Sequence, residues 1–114
     1  MITLYGIANC DTMKKARQWL NNAGIEYHFH DYKKAGLDET TLDLWLDELG
    51  YDALINKRGT TWRKLADEEK TSLTEEHAKT LILNNLSLIK RPLLDTGTVK
   101  HLGFSDADYQ SLFK

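Results

Sequence analysis

Two short strand-like runs with room for one helix between them, ITLY (2–5) and IEYHFHDY (25–32), constrain this chain more than any other feature. Thr12 to Ala23 reads as an amphipathic helix, with Met13, Ala16, Leu20 and Ala23 on one face and Gly24 as its stop. A strand, a crossover helix and a second strand make a β-α-β unit, and a crossover of that kind joins parallel strands. The 114 residues suffice for one domain that buries roughly two-thirds of the surface of the extended chain.

The clearest helix signals follow in GLDETTLDLWLDELGY. Asp38 can cap, Leu37 can staple against Leu42, and Leu42, Trp45, Leu46 and Leu49 recur at helical spacing before Gly50 ends the run. From Asn56 to Leu73 the chain is polar, basic and then acidic, with Trp62 and Leu65 as anchors for a short helix. Thr74 caps a helix to about Asn84 whose apolar face carries Ala78, Leu81 and Ile82. SLIKRPLLD (87–95) and TVKHL (98–102) read as strands around a hairpin turn at Gly97. Ser105 to Phe113 is a last helix, with Asp108 completing a capping box and Phe104 stapling Tyr109.

A β-α-β half followed by a β-β-α half is the thioredoxin-type arrangement. The expected fold is therefore α/β and thioredoxin-like: a mixed four-stranded sheet flanked by helices, with a helical insertion at about 37–86 between the halves. With no repeat, low-complexity stretch or Gly/Ser linker, 1–114 reads as one domain. Fifteen basic against 17 acidic residues give a net charge of -2, which makes no electrostatic case for nucleic acid or an anionic membrane. Apolar runs last only a few residues, so the expectation is a soluble cytoplasmic protein whose thiol stays reduced.

Cys10 is the only cysteine, in the loop ANCDT between the first strand and its helix. In an α/β sheet ligands gather beyond the carboxyl ends of parallel strands, and the unpaired N–H groups and dipole of a helix start favour thiolate over thiol. In such settings a cysteine pKa falls from ~8.5 to about 3.5–7.5. Lys14 and Lys15, one turn further in, can add to the effect. The alternative for Cys10, a small buried hydrophobe, fits poorly with the polar junction NCDT. Pro92, the only proline, follows Arg91 at a strand start and marks an edge, a bulge or a cis bond. Asn9, Thr12, Lys14 and Pro92, with the basic residues Lys57 and Arg58, are the candidates for binding substrate or thiol. His28 and His30 share a strand face, but half-exposed strand histidines are a better reading of them than a metal site.

Together LYGIANCDTMKKA, NKRGTTWRKL and IKRPLL resemble the arsenate reductase (ArsC)/Spx family, and within it the short YffB-like members. Essentially the whole chain takes part, and the sole cysteine and sole proline fall on family positions. The resemblance implies a catalytic cysteine at Cys10, an anion-binding Arg91 and a cis proline at Pro92 beside the thiol. It also implies a cycle in which glutathione, with glutaredoxin, regenerates the thiol after attack on a small oxidised or anionic substrate. No bound cofactor is expected. A lone thiolate has no resolving cysteine in its own chain, which by itself calls for an external thiol.

The chain departs from the reductases at two further arginines. Asn56 stands nearest to the first, with Lys57 and Arg58 displaced from it, and Lys100 and His101 are the only candidates near the second. One arginine in place of three weakens the grip on a doubly charged oxyanion, so a thiol reductase with a substrate other than arsenate is favoured. The alternative is an Spx-like regulator that binds RNA polymerase. With Met13 where the second cysteine of a C-x-x-C pair would stand, no disulfide switch operates.

Overall fold

In the computed structural model, which describes residues 1–71 and 73–114, the chain divides into two compact units, Met1–Ala35 with Arg91–Lys114, and Gly36–Lys90. The elements run β1 (Thr3–Gly6), α1 (Asp11–Asn22), β2 (His28–Asp31), α2 (Tyr32–Ala35), α3 (Glu39–Leu49) and α4 (Tyr51–Leu54). They continue through α5 (Thr60–Arg63), α6 (Asp67–Thr71), α7 (Glu75–Asn84), a 3₁₀ turn at Leu86–Leu88, β3 (Leu93–Asp95), β4 (Lys100–Leu102) and α8 (Asp106–Leu112).

The first unit holds the whole sheet, in the order β2-β1-β3-β4. β1 pairs in parallel with β2 and antiparallel with β3, and β4 is antiparallel to β3, so the sheet is mixed and thioredoxin-type, as its sequence requires. Leu4 and Leu94, paired across β1 and β3, form one core with Met13, Ala16 and Leu20 of α1 and Tyr109 of α8, all fully buried. Tyr109 anchors α8 through edge-to-face contacts, 4.7 Å from the Phe104 ring and 5.5 Å from Trp19. The Phe104 staple is thus in place, and Ser105 Oγ accepts the Asp108 N–H at 3.1 Å.

Boundaries moved where partners outside the local pattern decide. β2 begins at His28 rather than residue 25, because the Ile25 N–H is taken by the Leu20 carbonyl at 3.0 Å and the ladder starts with the His28 N–H to the Ile2 carbonyl. It ends at Asp31, whose Oδ1 accepts the Lys33 N–H at 2.9 Å and turns the chain into α2. Ala23, expected on the apolar face, is exposed: α1 closes there and Gly24 turns at φ 71°. β3 starts only after Pro92, which has no N–H for a ladder. The hairpin forms as expected, with Gly97 at φ 96° and the Thr96 N–H on the Val99 carbonyl.

In the second unit α3 packs on α4 and α7, with Leu42, Trp45, Leu46, Ala78, Leu81 and Ile82 buried. Thr74 Oγ1 accepts the His77 N–H at 3.2 Å as its capping role predicts, whereas Asp38 holds the N-cap position of α3 without a side-chain cap bond. Leu49 is only half-buried, as are Trp62 in α5 and Leu65 in the bend between α5 and α6, two short helices that bury no residue fully. Residues 87–89, expected as strand, form part of the 3₁₀ turn and an isolated bridge of Ile89 to Ile55.

Gly6 ends β1 where α1 crosses it. A Cβ built there runs into Met13 Sδ and lies 2.7 Å from Met13 Cε. Because Met13 is itself fully buried, Gly6→Ala is expected to destabilise the fold by about 1–3 kcal/mol in urea unfolding, and by clearly less in a Met13→Ala background. Additive costs in the two backgrounds would show that this contact does not govern the packing.

Candidate functional site

β1 delivers the chain into the loop 7–9, and Cys10 is the N-cap of α1, in extended conformation (φ -148°, ψ 126°). The Cys10 carbonyl accepts the Lys14 N–H at 3.0 Å, the first bond of the helix, so the sulfur hangs where the following amides still lack partners. Cys10 is half-buried and packs against the core of the first unit.

Burial is the largest influence on this thiol and raises its pKa, but the opposing influences together outweigh it and the net shift is downward. They are the Met13 N–H, a hydrogen bond from Arg91, the Thr12 N–H, and the charge of Arg91. Neither amide closes a cap hydrogen bond of ordinary geometry on the sulfur. Their effect is that of dipoles aimed at an anion, which strengthens as the sulfur becomes one.

Arg91 comes from the other end of the sequence. The antiparallel pairing of Tyr5 with Leu93 brings the start of β3 beside the end of β1, and the Arg91–Pro92 peptide bond is cis. Pro92 is buried, and its carbonyl accepts the Gly103 N–H at 2.8 Å, which ties the Arg-Pro turn to the end of β4. Of the residues singled out in the sequence, the structure thus brings Cys10, Thr12, Arg91 and Pro92 together in the first unit. Asn9 and Lys14 are exposed on the loop and on the first turn of α1, as is Lys15. His101, in β4, has its Nε2 3.4 Å from an Asp108 carboxylate oxygen.

Lys57 and Arg58 belong to the second unit. There Asn56 Oδ1 accepts the Arg58 N–H at 3.2 Å, and Lys57 Nζ donates to Asp52 at 2.5 Å and sits 5.7 Å from the Trp62 ring centre. Lys57 is therefore already matched with a carboxylate, at the rim of a shallow concavity of about 350 Å³ that also takes in Lys90. Another concavity, about 940 Å³, lies along Met1, Arg17, Tyr27 and Phe29. Cys10 is not among its lining residues, and Arg17 stacks over Phe29 at 4.4 Å within it.

Sequence reasoning passed over Tyr32, treating it as the end of a strand. It is buried, its hydroxyl has no hydrogen-bond partner, and its ring stacks 6.3 Å from Tyr5 and meets His30 edge-on at 5.9 Å. The available signal was positional: Tyr32 stands at the carboxyl end of the strand parallel to the one that leads to Cys10.

The ArsC family matches residues 5–112. Among solved structures, a YFFB protein is 44% identical with a TM-score of 0.92, each chain covered to 97%. An arsenate reductase (ArsC) related protein from Brucella melitensis is 47% identical with a TM-score of 0.82, over 99% of this chain and 94% of the other. The global transcriptional regulator Spx of Listeria innocua is 31% identical over 93% of this chain and 82% of its own. This chain belongs to the ArsC/Spx family and is YffB-like.

Proposed function

We propose that this protein is a thiol-dependent reductase in which the Cys10 thiolate is the nucleophile, Arg91 holds that thiolate or a bound anion, and glutathione resolves the oxidised intermediate. The observation that carries the reading is the placement of Cys10 as the N-cap of α1 with Arg91 brought beside it from the start of β3: burial opposes ionisation of the thiol, and the Met13 amide, Arg91 and the Thr12 amide together favour it. A thiolate at neutral pH is the attacking species in disulfide exchange.

With a disulfide substrate the steps balance simply. The Cys10 thiolate attacks one sulfur, the substrate S–S bond breaks, and one substrate thiolate leaves with the electron pair. A glutathione thiolate then attacks the substrate-derived sulfur of the mixed disulfide and releases Cys10 as thiolate. Glutaredoxin is a further partner for the same exchange when glutathione itself is the adduct. With the single cysteine of the chain at position 10, the second thiol comes from outside. Substrates other than arsenate are favoured, because of the three arginines that the reductases bring to the oxyanion only Arg91 has a counterpart here.

The 31% identity to a regulator named Spx favours a second reading, a transcription regulator acting through contact with RNA polymerase. With Met13 where a second cysteine would stand, such contact works without a redox switch. Polymerase α-subunit pull-down separates the two: robust binding that persists in Cys10→Ser supports the regulator, and its absence leaves the reductase.

The rate of alkylation by iodoacetamide follows the thiolate fraction, so it rises with pH and is half-maximal at the pKa. Since the folded environment lowers that pKa, the midpoint is expected below the ~8.5 of a free cysteine and higher in Arg91→Ala, where one of the lowering influences is gone. Cys10→Ser should not react at all. Reduction of hydroxyethyl disulfide by glutathione should be lost in Cys10→Ser and fall about tenfold or more in Arg91→Ala. A wild-type midpoint at the free-cysteine value, with no glutathione-coupled turnover, sinks the reductase reading.

A further inference from the structure

Tyr32 is 3% exposed, and its buried hydroxyl finds no hydrogen-bond partner. An orphaned buried hydroxyl is costly, and native structures keep few of them. A Tyr109 hydroxyl is orphaned too, but burial alone acts on it, whereas the charge of Arg91 reaches Tyr32. Burial, which dominates at Tyr32, keeps it a neutral phenol, with two lone pairs able to accept from a guanidinium.

The strand register explains the proximity. Gly6 pairs with Asp31, so Tyr32 lies one step beyond the end of the parallel pair, while Tyr5 pairs with Leu93, so Arg91 lies two residues before the antiparallel pair. Both flank the chain as it leaves β1 for Cys10. Tyr32 lies on the sheet face that carries Tyr5 and His30, its ring 6.3 and 5.9 Å from theirs, and Leu93, opposite Tyr5, shares that face.

We propose that Tyr32 is a positioning residue for Arg91, its buried hydroxyl accepting the guanidinium when Cys10 passes from thiolate to mixed disulfide. This rests on the reading above, in which Cys10 cycles through an adduct with glutathione. The Cys10 thiolate attacks one sulfur of glutathione disulfide; the new Cys10–glutathione S–S bond forms, the old one breaks, and glutathione leaves as thiolate to take a proton from water. The negative charge that held Arg91 disappears with that step. The Tyr32 oxygen, unsatisfied beforehand, then receives an N–H of the guanidinium, so the arginine stays near the sulfur and is ready to stabilise the thiolate when it returns. A polar group orphaned in one state and satisfied in the other shifts the balance between them towards the adduct.

Equilibration of the full chain in buffers of set glutathione to glutathione disulfide ratio, read by intact mass, measures that balance without ambiguity, since Cys10 is the only thiol. Tyr32→Phe keeps the ring and removes the hydroxyl. It is expected to lower the equilibrium constant for adduct formation about tenfold and, because protonation of the thiolate also releases Arg91 to the Tyr32 hydroxyl, to move the pH midpoint of Cys10 alkylation downward. The shift should vanish in an Arg91→Ala background. An unshifted equilibrium in Tyr32→Phe, or the same shift with and without Arg91, overturns the proposal. A wild type that forms no glutathione adduct removes the reading it rests on as well, so the two failures are told apart. Tyrosine labelled with ¹³C at Cζ gives a variant-free check: the Tyr32 resonance should move on adduct formation, and a fixed resonance overturns the assignment.

Discussion

Pairing of β1 along both of its edges is the constraint on which the first unit depends. Parallel pairing with β2 obliges the chain to cross over through α1, and that crossover creates the loop holding Cys10. Antiparallel pairing with β3 brings Arg91 from more than eighty positions away to the same end of the sheet. Tyr32 arrives there through β2. Three residues remote in sequence therefore converge because four-residue β1 is fixed on both sides, with Leu4 and Leu94 sealing the pairing from the face that α1 and α8 cover.

The chemistry at that end is a contest between desolvation and aimed positive charge. Packing Cys10 against the core works against the thiolate, and a cysteine merely half-buried in apolar surroundings would be a worse nucleophile than one in water. The amides of α1 oppose this at no cost in flexibility, since the helix fixes them. Arg91 adds a full charge, held by a turn whose Pro92 is buried and tied by its carbonyl to Gly103. The fold supplies the dipoles wherever a helix begins. The arginine is the added element, which is why its removal separates the site from an ordinary helix start.

Much of this was legible in the residues, and the failures have common physical causes. Patterns satisfied within one element came through: the buried stripe of α7, its Thr74 cap, the Ser105 cap with its Phe104 staple, and the turn at Gly97. Elements whose hydrogen bonds go elsewhere did not. Ile89 looks like strand because it is β-branched and apolar, yet its bridge partner is Ile55, over thirty residues earlier, and the ladder of the sheet begins only after Pro92. Residues 25–27 look equally strand-like, but the Ile25 amide is spent on the end of α1. For the site, Cys10 and Arg91 were visible as singular residues in telling contexts. Tyr32 was not, because an orphaned hydroxyl is a property of three-dimensional surroundings and leaves no mark on local sequence.

Met13 joins the two halves of the argument. Its backbone N–H is the strongest single influence lowering the Cys10 pKa, while its side chain is fully buried against Gly6 in the core. The two roles point in different directions and make different demands. Any residue other than proline offers the amide, so activation of the thiol places almost no restriction on what stands at position 13. The space above Gly6 is more selective, because the absence of a Cβ there leaves a gap that a long, unbranched and pliable side chain fills well. A cysteine at this position would keep the amide but leave part of that gap empty. The identity of residue 13 is thus set by packing, and the departure from a C-x-x-C pair costs the site its internal resolving thiol without costing it the activated one.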